Sequence, residues 1–203
     1  LEASGVDYRV ILVSRSGGHQ FNICIEAPLG GSQAGEGLTA ANNAEPKNNP
    51  PKFYHYSLTI NANDAWCRLL DSYDGTAADE YGLAPNGWSE WLRPEAKKLF
   101  LVLSDSRVNC NYQGTELDEG SNSPAAGDLP KGVQAAEAFD SLLLAKSAAH
   151  FGTASDRNYV WYTIAGLGAK DPTQPTEPWL STDPVTIQKC TGGGTNPVSP
   201  AIG

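Results

Sequence analysis

The chain has 203 residues, and its 14 Lys and Arg against 23 Asp and Glu give a net charge of −9. This acidic balance argues against DNA, RNA or an anionic membrane surface as a partner, because each attracts clusters of Lys and Arg. Apolar residues make up 40% of the chain, as in a globular protein, and no apolar run approaches the ~18 residues of a spanning helix. We therefore expect no nucleic acid partner and no membrane span.

The first part of the chain predicts strands separated by one long loop. The β-branched run over residues 7–14 predicts a buried strand, and the alternation over 21–25 predicts a short second one. Residues 28–52 are rich in Gly, Asn and Pro without periodicity, which predicts a long surface loop. The aromatic and β-branched run over 53–60 predicts the next strand.

Two segments have the pattern of helices. The first follows Asn63 or Asp64, either of which can cap it, and ends at the break over residues 73–76. The second covers residues 133–150, where alanines accompany an apolar stripe at spacings of three and four.

Residues 99–103 form the most apolar run in the chain and stand directly before Ser104. Such a run predicts a central parallel strand that is buried on both faces. Residues 158–166 predict a further strand, and strands that alternate with helices predict an α/β fold with a mainly parallel sheet flanked by helices. We expect one domain over residues 1–203, with a flexible tail over 191–203.

The four cysteines are far apart in the sequence, without the close pair that a zinc site needs. An even number at long separations fits two disulfides and an oxidising compartment, and four buried thiols of a cytosolic protein are the alternative. Cys24 and Cys67 lie in neighbouring predicted elements around the long loop, so we pair Cys24 with Cys67. Cys110 then pairs with Cys190 by exclusion.

Oxygen-bearing side chains follow two of the predicted strands, at the sheet edge where ligands collect in open α/β folds. Ser104 and Asp105 follow the apolar strand, and Asp64 follows the strand over 53–60. Hard divalent cations such as Mg²⁺, Mn²⁺ and Ca²⁺ take oxygen ligands of this kind. The structural alternative is that Asp105 caps a turn through its own backbone amides.

The other polar clusters in the sequence do not favour a functional site. The histidines fall in different predicted elements, and no Gly-x-Ser-x-Gly motif accompanies Ser14, Ser16 and His19, so a catalytic triad is not favoured. The acidic cluster before residue 82 matches no EF-hand spacing and predicts a solvated acidic loop, formed by Asp71, Asp74, Asp79 and Glu80.

Three stretches in order are similar to one family: residues 8–14 (YRVILVS), 53–56 (FYHY) and 82–105 with its GLAP, WSEWLRPEA and LSD motifs, followed by Asn109 and Cys110. In this order they resemble the von Willebrand factor type A (VWA) domains of exported bacterial proteins. The similarity runs from about Val6 to Cys190, nearly the whole chain.

The resemblance implies a Rossmann-like sheet with a metal-ion-dependent adhesion site at its carboxyl rim. Asp105 matches the aspartate that follows the fourth strand of the family. The loop after Ile60 should supply a threonine, yet it reads Asn-Ala-Asn-Asp over residues 61–64. The Asp-x-Ser-x-Ser motif that follows the family's first strand occurs nowhere in the sequence, so we expect the chain to begin just before the family's second strand.

The missing strand has a physical consequence. In the family it lies in the middle of the sheet, between the strands that match residues 7–14 and 99–103. Its absence would expose two hydrophobic strand edges, which is an aggregation hazard. Either the two strands close up, another segment fills the place, or a second copy does so in a homo-oligomer formed through the exposed sheet edges.

Three functions follow as hypotheses. The first is an exported binding or adhesion module, extracellular, periplasmic or on the cell surface, with an incomplete metal site that binds a divalent cation weakly or not at all. The alternative is a small hydrolase of esters or phosphoesters, in which Asp105 with Asp64, His19 or His55 holds a metal that activates water. The third is a structural surface protein whose strand ends bind nothing.

Overall fold

The computed structural model describes residues 5–16, 23, 25–31, 46–61, 63–104, 107–120, 128–165 and 173. The chain divides into two compact units. The first contains residues 1–60 with 68–92, and the second contains residues 61–67 with 93–203. Each unit has its own packed core, and the single domain over residues 1–203 stays a prediction.

The first unit contains two parallel strands, β1 (Val10–Ser14) and β2 (Phe53–Ser57). Both predicted strands are present, each shorter than its apolar run, but the apolar residues of β1 are half-buried rather than buried. Phe53 and Tyr56 of β2 are buried, and the ring of Tyr54 stacks on Trp91 with centroids 5.0 Å apart. Aromatic packing of this kind holds the parallel pair against the rest of the unit.

Helix α1 (Ala65–Tyr73) starts directly after Asp64 and ends at the predicted break. Leu70 on α1 is fully buried, and the side chain of Tyr73 meets Trp88 edge-on at 5.2 Å between centroids. Trp88 belongs to a 3₁₀ turn, Trp88–Trp91, and its indole nitrogen donates a hydrogen bond to the carbonyl of Leu69 at 3.2 Å. These contacts fix the irregular segment that follows α1.

The second unit is built on the parallel pair of β3 (Lys98–Ser104) and β8 (Tyr159–Ala165), which run side by side in register over seven residues. Helix α2 (Asp128–Lys146) and the short α3 (Ala148–Phe151) lie between them in the chain. The ring of Trp161 stacks on Phe100 at 5.0 Å and meets Phe139 of α2 at 5.1 Å. The predicted helix over 133–150 is thus two helices, separated at Ser147, whose hydroxyl accepts from the amide of His150.

Two hairpins complete this unit. Strands β4 (Asn109–Tyr112) and β5 (Thr115–Asp118) form the first, and β6 (Gly152–Thr153) and β7 (Asp156–Arg157) the second. Neither strand of the first hairpin is among the elements that the sequence predicts. Its two turn residues, Gln113 and Gly114, both have positive φ, and such two-residue turns match the twist of paired strands.

The predicted burial of residues 99–103 on both faces is wrong. Leu99, Leu101 and Leu103 are 63%, 51% and 71% exposed, because α2 and α3 cover only the opposite face of β3 and β8. The observed class is mixed α/β with short parallel sheets. The described strands form two parallel pairs and two antiparallel pairs rather than one sheet.

The cysteine pairing predicted from sequence is also wrong. Cys67 is bonded to Cys110, so neither Cys24–Cys67 nor Cys110–Cys190 is formed. The amide of Asn109 donates to the carbonyl of Asn63 at 2.9 Å, which brings the start of β4 beside the residues that lead into α1. The predicted cysteine pairing was wrong because strand β4, which carries Cys110, is not among the elements predicted from the sequence. Cys24 and Cys190 themselves lie outside the described residues.

Some predicted segments cannot be compared with the structure. Most of the strand over 21–25, residues 32–45 of the long loop and the tail over 191–203 lie outside the described ranges. The described ends of the loop form turns, at residues 27–29 and 50–52. None of the helices in the described ranges combines the length and the apolar character that a bilayer crossing requires.

Candidate functional site

The predicted metal ligands are only partly described. Ser104 is the last residue of β3, half-buried and opposite Ala165 of β8, while Asp105 and His19 lie outside the described residues. Within the described ranges, no three His, Cys, Asp or Glu side chains are grouped closely enough to hold a metal ion. The structure therefore assembles no metal centre from the residues that it describes.

Asp64 has a local structural role. Its Oδ1 accepts a hydrogen bond from the backbone amide of Asn61 at 2.7 Å, and its Oδ2 accepts one from the Asn61 side-chain amide at 3.0 Å. Both carboxylate oxygens are thus bonded within the loop that leads into α1. A carboxylate oxygen can accept a hydrogen bond and bind a metal at the same time. Within the described ranges, however, Asp64 belongs to no group of three His, Cys, Asp or Glu side chains that could hold a metal ion, so the described residues do not form the family's metal site at this position.

His55 lies in the core of the first unit, 2% exposed, within hydrogen-bonding distance of Ser14. Its Nε2 is 3.0 Å from both the hydroxyl and the backbone carbonyl of Ser14. A carbonyl only accepts, so Nε2 carries the hydrogen and donates. In this tautomer Nε2 cannot take a proton from the Ser14 hydroxyl or ligate a metal, and the pair holds β1 to β2.

Burial lowers the pKa of His55, and the Ser14 carbonyl and nearby Asp79 oppose that shift. The folded protein therefore favours the neutral ring. Because the pKa is lower in the folded than in the unfolded chain, this group contributes stability above its ordinary pKa and loses it as the pH falls.

The predicted solvated acidic loop is wrong for Asp79. This residue is 6% exposed, and its two oxygens accept from the amides of Ser57 at 2.7 Å and Leu83 at 2.6 Å. Glu80 beside it accepts from the hydroxyls of Ser57 at 2.8 Å and Thr59 at 3.0 Å. Both carboxylates therefore stabilise the carboxyl end of β2 and the turn after it, which is a structural role.

Glu119 is the most unusual titratable group in the described chain. It follows β5, is 1% exposed, and its Oε2 accepts from the amide of Val108 at 2.8 Å, while its own amide donates to the Val108 carbonyl at 3.1 Å. Its Oε1 is buried and has no hydrogen-bond partner among the described residues. The sequence carried a signal for this burial, because strand alternation puts Glu119 on the face of fully buried Leu117.

Burial raises the pKa of Glu119 to about 7. The hydrogen bond from Val108 and the charge of Arg107 oppose the rise, and the charge of Asp118 adds to it. Arg107 is itself held by Asp118, with 3.4 Å between Nη1 and Oδ1. A buried carboxyl with one unbonded oxygen favours the protonated form, since the neutral acid loses less hydration.

We expect Glu119→Gln to stabilise the protein in a pH-dependent way. The parent carboxyl has a raised pKa in the folded state. Its contribution to the free energy of unfolding is therefore fully present below about pH 4.5 and is lost as the pH rises to about 7. The free energy of unfolding of the variant relative to the parent should therefore grow across this range, to roughly 3 kcal/mol above neutral pH. Denaturant unfolding at a series of pH values measures it.

Glu116 provides the matched control, because Glu116→Gln removes one charge from an exposed position of β5, the strand that Glu119 follows. Taking the difference between variant and parent also cancels the contribution of His55. Equal pH profiles for the two variants would show that the Glu119 carboxyl is not held as the structure describes.

Comparison with protein-family models, with curated proteins and with solved structures finds no match for this chain. No family membership is shown. Functional inference therefore rests on the residues and contacts of the chain itself.

Proposed function

We propose that this chain is a binding or adhesion module of the VWA type, exported from the cell and carrying an incomplete metal-ion-dependent adhesion site. The observation that carries the proposal is the pairing of strands. Two parallel pairs are present, and the apolar strand β3 ends at Ser104, directly before the aspartate that matches the family. Parallel neighbours need a crossover connection, and α2 lies within the one between β3 and β8.

The finer arrangement in this proposal is a Rossmann-like sheet. Among the described strands, β1 pairs only with β2 and β3 pairs only with β8. Each pair would then be one part of the family's sheet, with the family's first strand as the missing neighbour of β1 and of β3.

Export is supported by the Cys67–Cys110 disulfide, because such bonds persist in oxidising compartments and are rare in the cytosol. The acidic charge supports a protein or a surface rather than nucleic acid as the ligand.

The hydrolase is the weaker candidate. A metal-activated water needs a bound metal with an open coordination position. His55 donates its Nε2 hydrogen to the carbonyl of Ser14, and Asp64 accepts two hydrogen bonds from Asn61. Two of the groups named for that chemistry thus have structural partners.

We expect the chain to bind divalent cations only weakly, with dissociation constants of roughly millimolar or weaker. The reason is that Asp105 supplies one carboxylate, Asp64 is bonded within its own loop, and the Asp-x-Ser-x-Ser ligands are missing. Calorimetric titration with Mg²⁺, Mn²⁺ and Ca²⁺ measures this, for the parent, for Asp105→Ala and for the control Asp74→Ala.

Micromolar binding that disappears in Asp105→Ala but persists in Asp74→Ala would contradict the incomplete site. A panel of chromogenic esters and phosphoesters tests the alternative on the same three proteins. Turnover that is abolished only by Asp105→Ala would replace the binding module with the hydrolase.

A further inference from the structure

The turn over residues 84–87 contains the one Asn-Gly pair of the sequence, Asn86 followed by Gly87. In an Asn-Gly pair the backbone nitrogen of the glycine reaches the Cγ atom of the asparagine most easily, because glycine has no Cβ atom that hinders the approach. Asn86 is exposed, whereas Gly87 is buried, and the amide of Gly87 closes the turn by donating to the carbonyl of Ala84 at 3.0 Å. A chemically labile side chain is thus open to water but held in a closed turn.

Deamidation of such a pair proceeds through a succinimide ring. The nitrogen of Gly87 loses its proton to solvent and attacks Cγ of Asn86, and the bond from Cγ to Nδ2 breaks as Nδ2 takes up a proton and leaves as ammonia. Water then opens the ring at either of its two carbonyls, which gives aspartate or isoaspartate. One water is consumed and one ammonia is released, with no oxidation or reduction. Both products add one negative charge, and isoaspartate also inserts a methylene group into the main chain.

One carboxylate oxygen of Glu90 holds Asn86 in place. Oε1 of Glu90 accepts from the backbone amide of Asn86 at 2.9 Å, and it also accepts from the side-chain Nδ2 of Asn86. The amide of Glu90 donates to the carbonyl of Gly87 at 3.2 Å, so Glu90 is itself fixed to the turn. The reaction needs the Gly87 nitrogen aligned with Cγ and free to lose its proton. The side chain therefore has to leave Glu90, and the turn has to open, before the ring can form.

The end of α1 confines the same peptide bond. A Cβ atom on Gly75 would lie 3.0 Å from the nitrogen of Gly87, and one on Gly87 would lie 2.2 Å from the carbonyl oxygen of Tyr73. Close packing of backbone against backbone restricts the rotation that brings the nitrogen of Gly87 to Cγ. It also leaves no room for the additional methylene group of isoaspartate.

We propose that Asn86 is a deamidation site that the fold keeps unreactive, with Glu90 as the positioning residue that holds it. The reaction then takes place only in the molecules in which this turn is open, so its rate measures the opening of the turn. A chain that forms isoaspartate while the turn is open cannot restore the contact with the end of α1, so the modification makes the opening permanent. The proposal is independent of the proposed binding function.

Incubation of the full chain at mildly alkaline pH, with and without guanidinium chloride, measures the reaction. Isoelectric focusing detects the added charge, and peptide mapping locates aspartate and isoaspartate at residue 86. We expect the native protein to react at least about tenfold more slowly than the unfolded chain, because the turn has to open first. Glu90→Ala removes the acceptor and should raise the native rate by roughly 3- to 10-fold, whereas Glu90→Gln keeps an acceptor oxygen and should stay near the parent.

Glu137→Ala is the matched control, since it removes the same side chain and the same charge from an exposed position on α2. This variant should react at the rate of the parent. Equal native and unfolded rates for the parent would overturn the proposal. A native rate in Glu90→Ala that is no higher than in the parent, in Glu90→Gln or in Glu137→Ala would overturn it as well, because the hydrogen bonds from Asn86 to Glu90 would then not control the reaction.

Discussion

Gly87→Ala is expected to lower the free energy of unfolding by about 4 kcal/mol, which is near the upper end for a single substitution. A Cβ atom on Gly87 would lie 2.2 Å from the carbonyl oxygen of Tyr73 and 2.5 Å from the amide nitrogen of Gly75. Tyr73 is the last residue of α1 and Gly75 lies in the break directly after it, so both contacts are with backbone, which cannot move without displacing the end of the helix or the break. Gly87 also has φ 92° and ψ 170°, a conformation that is almost restricted to glycine.

Gly82→Ala separates the close approach from the backbone conformation. Gly82 also has positive φ, 68°, but nothing lies within 4 Å of the position of its Cβ. Its replacement should cost about 1 kcal/mol, the cost of the conformation alone. Guanidinium chloride unfolding followed by tryptophan fluorescence compares the two variants. Equal losses would mean that the segment around Gly87 does not pack against the end of α1.

Removal of the Cys67–Cys110 bond is expected to cause the second large loss of stability. The bond joins residues 43 apart in the sequence, and closing a loop of that length in the unfolded chain corresponds to about 4 kcal/mol of stability. The double variant Cys67→Ala with Cys110→Ala should therefore unfold at a markedly lower denaturant concentration than the oxidised parent. The loss should appear without any reducing agent.

The pairing itself is tested by peptide mapping of the non-reduced protein. Trypsin cuts after Lys52, Arg68, Arg107 and Lys131, so the structure predicts a cross-linked product of residues 53–68 with residues 108–131. A product that joins the peptide of Cys24 to residues 53–68 would instead restore the pairing predicted from the sequence.

The sequence allowed a segment to be assigned as helix or strand where the signal for it lies within a few neighbouring residues. Asp64 precedes α1 and the Tyr73-Asp74-Gly75 break follows it, so both ends of this helix are encoded within a few residues. The β-branched and aromatic runs of β1 and β2 are equally local signals. Hairpin β4–β5 was missed because its strands are short and polar, and its turn is Gln-Gly rather than Asn-Gly.

The candidate site was much less predictable. Asp79 and Glu119 look like ordinary surface acids in the sequence, and only their burial and their bonds to Ser57, Leu83 and Val108 make them structural. Burial depends on elements that are distant in the chain. A single sequence carries little information about such contacts, beyond the alternation that places Glu119 beside Leu117.

By itself, the sequence determined the acidic charge, the mixed α/β class and the type of each strong element, because charge and short-range periodicity are properties of neighbouring residues. Only the tertiary structure decided that Cys67 pairs with Cys110, that His55 donates to the Ser14 carbonyl, and that the alternate leucines of β3 remain exposed. Each of these depends on which segments meet in space. An apolar run predicts that a strand can be covered on both faces, but the neighbours that fold onto it decide whether it is.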